Sequence, residues 1–244
     1  MIGTGTLLNV CGIVVGGIVG LTKRPSLSAA TQNSLKVALG AFTAFCGLRL
    51  TWISLNLNGT VLHILKQLGI LLLSLAAGRL AGRLLHLQKA SNRLGRFARE
   101  RIAAVTPDGP SRFEEGFWVC TALFCAAPLG ILGAVSDGLT GYFLPLTAKG
   151  VMDGLAAMGF VSIFGWGTVL SAVPVLVFQG TLTLACARFL QPWLQVHGLT
   201  DPVNAAVGLL IFCVALVILE IRKIELADYL PSLGLAPLLA WWLQ

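Results

Sequence analysis

Residues 130–154 read GILGAVSDGLTGYFLPLTAKGVMDG, and this stretch decides the fold class of the chain. It is apolar and rich in glycine, yet it contains Asp137, Lys149 and Asp153. A helix needs about 20 apolar residues to cross a bilayer, and apolar runs of that length lie on both sides of the stretch. The stretch therefore predicts membrane helices with charged groups between or within them.

The composition of the whole chain agrees with a membrane protein. Hydrophobic residues make up 56% of the 244 positions and charged residues only 11%, whereas about a quarter of an ordinary soluble domain is charged. The apolar runs are continuous, unlike the short alternating strands of a membrane β-barrel. We expect an all-α, polytopic membrane protein of about eight transmembrane helices. The expected spans are 3–21, 34–55, 60–83, 117–136, 152–175, 177–195, 203–221 and 229–243.

The positions of Lys and Arg predict the orientation, because basic residues accumulate in cytoplasmic loops. They follow the first, third and seventh expected spans, whereas the alternate connections contain only Lys149. With eight spans, both termini are expected outside and the basic loop 87–115 in the cytoplasm. The net charge of +7 is then a topology signal, and no nucleic-acid partner is expected. The basic residues concerned are Lys23, Arg24, Lys89, Arg93, Arg96, Arg99, Arg101, Arg112, Arg222 and Lys223.

Residues 87–105 carry apolar side chains at roughly helical spacing opposite a basic face. One interpretation is an amphipathic helix that lies on the inner membrane surface among anionic lipid headgroups. The alternative is a solvated linker. The turn residues TPDGPS at 106–111 end this element and mark the boundary between the halves of the chain.

The two halves resemble each other weakly. Residues 9–21 lie over 130–142 with three matched glycines, and residues 39–47 lie over 158–166. Since the first span runs inward and the fourth outward, the repeats are expected to be inverted, a recurrent design of secondary transporters. We expect a first membrane repeat of three helices (1–86), a basic linker (87–115), a second, inverted repeat (116–196) and two additional helices (197–244).

The fourth span is expected to be interrupted. Pro128 removes a backbone donor, and the glycines at 130, 133, 138 and 141 allow close packing or unwinding. Unwound backbone survives in lipid only where protein or a water-filled cavity satisfies it. The sequence therefore predicts a cavity beside the break.

The three charged residues of the opening stretch are the main candidates for a binding site. An ionisable group inside a membrane is a functional hypothesis by default, and Lys149 and Asp153 share one helix face because they lie four positions apart. If the fourth helix is straight, Asp137 instead reaches the outer headgroups and all three are loop charges. Further candidates are polar residues in or beside the expected spans, with Arg188 in need of an acidic partner. These are Asn9, Ser136, Gln179 and Arg188.

Several classes of function have no signature in the sequence. The chain lacks H-E-x-x-H, G-x-S-x-G and Walker-type motifs, and its six cysteines and three histidines lack metal-ligand spacing. Two aspartates on neighbouring spans suggest an intramembrane aspartyl protease, but the GxGD signature of that family is absent. We expect no catalytic residue, metal or cofactor, and no enzymatic activity.

The order of these motifs resembles the YqgA/YdfK-like family of bacterial inner-membrane proteins. The most specific part is the G-x-x-G-x-x-x-D-G-x-x-G run from Gly130, followed by Lys149 and Asp153. The resemblance implies a bacterial inner-membrane location and a domain of unknown function often labelled a transport protein. Tyr142 and Arg83 stand where members often carry an acidic residue. The segments that carry the resemblance are 123–141, 146–154, 205–224 and 230–240.

Together these patterns predict a transporter of a small solute or ion that works by alternating access. Its polar site lies between the first, fourth and fifth helices, where Asp137 and Asp153 hold a cation or a proton and Lys149 or Arg188 supplies the counter-charge. An oligomeric channel and a structural or lipid-scaffolding protein are the alternatives. The expected partners are membrane lipids and further copies of the chain, as a homodimer or larger homo-oligomer, because glycine-rich faces favour close helix contact.

Overall fold

The computed structural model describes residues 1–22, 28–55, 60–104 and 112–243. The regular structure of these residues is helical, and they contain no strand, so the all-α prediction is confirmed. Lys23, Arg24 and the turn 106–111 lie outside the described residues. The helices are α1 Thr4–Leu21, α2 Ala29–Leu55, α3 Val61–Leu84, α4 Leu87–Ala104, α5 Arg112–Ala126, α6 Pro128–Thr140, α7 Leu144–Phe164, α8 Trp166–Leu170, α9 Ala172–Ala185, α10 Gln191–Val196, α11 Thr200–Ile218 and α12 Ser232–Trp242, with a π-helical turn at Cys186–Leu190 and a 3-10 turn at Leu226–Tyr229.

The number of spans in the described chain is six, or seven with a bent pair, rather than about eight. Five single helices (α1, α2, α3, α7 and α11) and the run Trp166–Val196 are long and apolar enough to cross a membrane, and α5 and α6 together form a span bent by 58°. The expected eighth span, 229–243, contains only the 11-residue helix α12. At ~1.5 Å per residue this helix is about 16 Å long, roughly half of a bilayer core.

The boundary between the fifth and sixth spans also differs from the expectation of 152–175 and 177–195. Helix α7 begins at Leu144 and ends at Phe164, because Gly165 adopts a φ of +66° that favours glycine. The next helical run starts at once with Trp166. The sequence contains many glycines, so Gly165 alone was not sufficient to predict the break between α7 and α8.

The chain divides by its contacts into two compact units, each made of two stretches. The first unit contains residues 1–35 and 91–184, and the second contains residues 36–90 and 185–244. The four-segment division by sequence and the inverted repeat remain predictions.

In the first unit, α1 and α7 run parallel and in backbone contact. A Cβ on Gly12 would collide with the carbonyl of Gly150, and one on Gly16 with the carbonyl of Gly154. One turn further on, a Cβ on Gly20 would lie 2.5 Å from the carbonyl oxygen of Met158. Because the contacts advance in the same direction along both helices, the two are parallel.

The bent pair α5–α6 runs antiparallel to α7 along most of its length. Gly116 near the start of α5 packs on Phe164 at the end of α7, and Gly133 in α6 packs on Leu146 at its beginning. The pair therefore travels from one end of α7 to the other and behaves as one interrupted span. The predicted interruption of the fourth helix is confirmed between Ala126 and Pro128.

The run α8–α9 completes the first unit and is antiparallel to α1. Val169 lies against Gly17 near one end of α1, and Gln179 and Thr183 reach Asn9 and Thr6 near the other. Polar side chains of α1, α7 and α9 are thereby brought to the same level as the break between α5 and α6.

In the second unit, α2 packs against α11 and α3 packs against the segment 226–242. The α2–α11 contact passes through Gly47 and Gly208, where the backbones touch. The other contact places Gly82 of α3 on the backbone of Asp228. The Asp228 carboxylate in turn accepts a 2.9 Å hydrogen bond from the backbone N–H of Gln88 in the first turn of α4.

The predicted amphipathic element is a helix, α4, whose basic side chains are exposed. Ala98 packs into the core of the first unit, with Ile102 beside it, while Leu94 and Phe97 are 42% and 36% exposed. Residues 87–104 are therefore helical, which fits either interpretation. The position of α4 on the membrane surface remains a prediction.

Candidate polar site in the first unit

The centre of the site is an ion pair within α7. The ammonium of Lys149 contacts the carboxylate of Asp153 one helical turn further along, as the four-residue spacing predicts. Lys149 is only 2% exposed and Asp153 8%. The Nζ atom of Lys149 also lies 5.9 Å from the ring centroid of Phe124 at the end of α5. The charges are thus enclosed by protein rather than placed in a wet loop.

Two buried amides from other helices adjoin this pair. Asn9 of α1 donates a 3.0 Å hydrogen bond from Nδ2 to Oε1 of Gln179 in α9, and its side chain lies beside the carboxylate of Asp153. Both amide residues are fully buried. Within the described part of the chain, Oδ1 of Asn9 and Nε2 of Gln179 have no hydrogen-bond partner. A buried polar group without a partner costs about 1–3 kcal/mol. One acceptor and one donor at this place can therefore each gain a hydrogen bond from a bound ligand.

The break in the fourth span lies directly against the cluster. A Cβ on Gly130, in the first turn of α6, would lie 2.8 Å from Cε of Lys149 and 3.0 Å from Nε2 of Gln179. A larger residue at this position would require both side chains to shift. Pro128 occupies the first turn and no side chain caps the helix, and this turn lies against Lys149 and Gln179 through Gly130.

Two threonines extend the polar line away from the amides. The hydroxyl oxygens of Thr6 and Thr183 lie 3.3 Å apart, and Thr183 donates a 3.2 Å hydrogen bond to the carbonyl of Ala134 in α6. Both threonines are buried, and neither was predicted. Their spacing gave a signal, because Thr6 precedes Asn9 by three residues and Thr183 follows Gln179 by four, which places each pair on one helix face.

Asp137 belongs to a different place in the unit. It is fully buried, and its Oδ2 accepts a 3.0 Å hydrogen bond from the backbone N–H of Gly5 in the first turn of α1. A carboxylate stabilises a helix N-terminus because it compensates the partial positive charge there. Asp137 is therefore a buried cap for α1 supplied by α6, and not a loop charge.

The two aspartates do not share one binding pocket. A Cβ on Gly5 would lie within 3.0 Å of both Asp137 and Leu146, so Asp137 lies at the level of Leu146 on α7. Asp153 is seven residues further along that helix, which is about 10 Å at ~1.5 Å per residue. The expected joint cation site of Asp137 and Asp153 is not formed in this structure.

The remaining predicted residues have other positions. The hydroxyl of Ser136 lies 3.0 Å from the carbonyl oxygens of Gly133 and Tyr142, so it closes the end of α6. Arg188 lies on the π-helical turn of the second unit, where it is exposed. The counter-charge of Asp153 is Lys149. Among the described residues, no three His, Cys, Asp or Glu side chains come together as metal ligands.

Comparisons with known proteins place this arrangement in a family without an assigned activity. Residues 4–241 match the model of a family described as "Protein of unknown function (DUF554)". The chain is 28% identical over 236 residues to the uncharacterized membrane protein YdfK of Bacillus subtilis (strain 168), covering 96% of this chain and 93% of the relative. It is 28% identical over 246 residues to the uncharacterized protein YqgA of Escherichia coli (strain K12), covering 98% and 97%. No solved structure matches the chain.

Proposed function

We propose, for a chain that belongs to the DUF554 family of proteins of unknown function, that it carries a small solute or ion across the inner membrane of a bacterium by alternating access. The observation that carries this proposal is the buried Lys149–Asp153 pair beside two partly unpaired amides at the break of a bent span. The membrane location itself agrees with the six to seven candidate spans and with the membrane-protein relative.

The cost of the ion pair supports a role beyond packing. A charged side chain at the centre of a membrane helix costs about 2.5–3.5 kcal/mol on insertion scales. Backbone contacts through Gly12 and Gly16 already hold α1 against α7, so the pair is not needed for that contact. Charges retained inside a membrane at this cost typically line the route of a solute or ion.

The bent span supplies the moving part of the proposed cycle. Helix α5 is anchored at the Phe164 end of α7 through Gly116, and α6 turns away from α5 by 58° after Ala126. A change of this angle moves Gly130 relative to Lys149 and Gln179. The polar cluster then faces one side of the membrane or the other, as in transporters with discontinuous helices.

The orientation follows from the basic residues and the revised number of spans. We place the N-terminus outside and the loop 87–115 in the cytoplasm. With α11 as the seventh span, Arg222 and Lys223 also lie in the cytoplasm. The C-terminus lies outside only if the segment that contains α12 forms an eighth crossing of the membrane.

The glycine faces do not by themselves support the proposed oligomer. Gly12, Gly16 and Gly20 are used in the contact between α1 and α7 of one chain. A homodimer or larger homo-oligomer remains our proposal for a chain of this size, but its interface then lies on another face. Membrane lipids cover the other exposed apolar side chains in this proposal.

Transport is tested with the purified protein reconstituted in liposomes and a panel of labelled metabolites and ions. We expect saturable uptake driven by a gradient, and a loss of at least tenfold for Lys149→Gln. The matched control is Lys89→Gln, because Lys89 is exposed on α4. Conductance without saturation would favour the channel and contradict alternating access.

A structural role is the second candidate, and the cap formed by Asp137 on α1 favours it. In that case the buried charges only lock the helices of the first unit together. Lys149→Gln would then lower the thermal stability of the protein, while no solute of the panel would bind or move.

A further inference from the structure

We infer that the solute carries a small anionic group, such as a carboxylate, which binds at the N-terminus of α6 beside Lys149 and Gln179. The inference rests on the proposed function, because it names the chemical class of solute for the same site. It differs from the cation or proton that the sequence predicts at the aspartates.

The first argument is the position of the N-terminus of α6. This 13-residue helix starts at Pro128, within the bent span, and no side chain caps it. In this helix Pro128 has no N–H and the N–H of Gly130 donates a 2.9 Å hydrogen bond to the carbonyl of Ala127, but the N-terminus still carries the partial positive charge of the helix dipole. Such an end is a ready anion site, and inside a membrane water is not there to satisfy it.

A second and independent observation points to a ligand at the same place. The Nε2 atom of Gln179 belongs to a fully buried side chain and has no hydrogen-bond partner within the described residues. It lies 3.0 Å from the Cβ position of Gly130, so it is directed at the first turn of α6. The amide N–H in this position can donate a hydrogen bond to an acceptor atom of a ligand.

The charge of Lys149 completes the set of donors. Its Cε lies 2.8 Å from the same Cβ position of Gly130. The stem of Lys149, next to its ammonium, and the amide N–H of Gln179 therefore both lie against the first turn of α6. These groups repel a cation and attract an anion.

Asp153 acts as a resident anion in the present state. Its carboxylate holds Lys149 and so competes with the carboxylate of a solute for the same ammonium. Binding exchanges one carboxylate for the other at the ammonium, while Asp153 stays beside the side chain of Asn9. The solute thus competes with Asp153, and Asp137 takes no part because it is held by Gly5 about 10 Å away.

The test measures the thermal stability of the purified protein in detergent against sodium acetate. Acetamide serves as the neutral isostere, sodium chloride as the halide and choline as an organic cation. We expect acetate, and not acetamide or choline, to raise the melting temperature of the wild type in a saturable manner. Asp153→Asn is expected to bind acetate at least tenfold more tightly, because the competing carboxylate is removed.

Gln179→Glu tests the site independently if Asp153→Asn fails to fold. This change is nearly isosteric and places a negative charge at the N-terminus of α6. We expect the variant to fold and to lose the response to acetate. An unchanged response in Gln179→Glu would overturn the assignment of the site.

The outcomes separate this inference from the proposed function. Chloride acting as well as acetate would support the anion site and show that it does not distinguish a carboxylate from a halide. Choline or acetamide stabilising the wild type, with acetate inactive, would overturn the anion class while transport stands. If no compound binds and no solute of the transport panel moves, both proposals fall.

Discussion

At the scale of single residues, the sequence predicted the partners within a helix better than those between helices. The spacing of Lys149 and Asp153 was sufficient to predict their shared face. Asn9 and Gln179 were recognised one by one as polar groups inside spans, but their hydrogen bond depends on the register in which α1 meets α9. The sequence of one helix does not determine its register against another helix. The contact between Thr6 and Thr183 was not predicted for the same reason.

The buried ion pair gives the first prediction. Asp153→Asn leaves the charge of Lys149 enclosed without a counter-charge, and removing one partner of a buried pair costs about 3–5 kcal/mol. We expect the melting temperature of the purified variant to fall strongly. The double variant Lys149→Met with Asp153→Leu should recover most of the loss, because a buried pair and well-packed apolar residues are similar in stability. Equal losses in the single and double variants would contradict this account of the pair.

Asp137 gives the second prediction, because its position assigns it a structural role. Asp137→Asn keeps an acceptor for the N–H of Gly5 but removes the charge at the N-terminus of α1. We expect a loss of about 1 kcal/mol, measured by thermal unfolding, with uptake per folded molecule unchanged. Abolished uptake at unchanged stability would place Asp137 in the transport site after all.

At the scale of helices, the breaks were predictable where two signals coincided. Pro128 followed by Gly130 predicted the interruption of the fourth span, which the structure shows at that place. Gly165 has no neighbouring proline and was missed, because a lone glycine within a membrane helix more often serves packing. The 11-residue α12 was mistaken for a span because its apolar composition extends past its helical limits.

The parallel contact of α1 and α7 gives the third prediction. Gly16→Ala places a Cβ against the carbonyl of Gly154, and overpacking of this kind costs about 1–3 kcal/mol. Gly159→Ala on α7 is the matched control, since a Cβ there meets no atom within 4 Å. We expect a lower melting temperature for Gly16→Ala and an unchanged or slightly higher one for Gly159→Ala. Equal effects would show that the close approach of α1 and α7 is not needed for stability.

At the scale of the whole molecule, composition and length were sufficient to predict a polytopic helical membrane protein. The count of spans was less certain, because hydropathy cannot distinguish a short apolar helix such as α12 from a complete crossing. The compact units were not predictable either. Each joins stretches from both halves of the chain, and such pairing is decided by contacts between distant helices.

The proposed function makes its prediction at this scale as well. A transporter that alternates between two faces exchanges solute across the membrane, whereas a channel only lets concentrations equalise. Preloaded vesicles therefore distinguish the two. The variant Lys149→Gln links the result to the buried cluster, and the exposed Lys89→Gln remains the control.

The most direct measurement is solute counterflow in proteoliposomes preloaded with unlabelled acetate. For the wild type and for Lys89→Gln, we predict that external labelled acetate accumulates transiently above its equilibrium level, and that Lys149→Gln abolishes this overshoot. Labelled acetate that equilibrates without an overshoot, at the same rate in all three proteins, would contradict carrier-type transport of this anion through the polar site of the first unit.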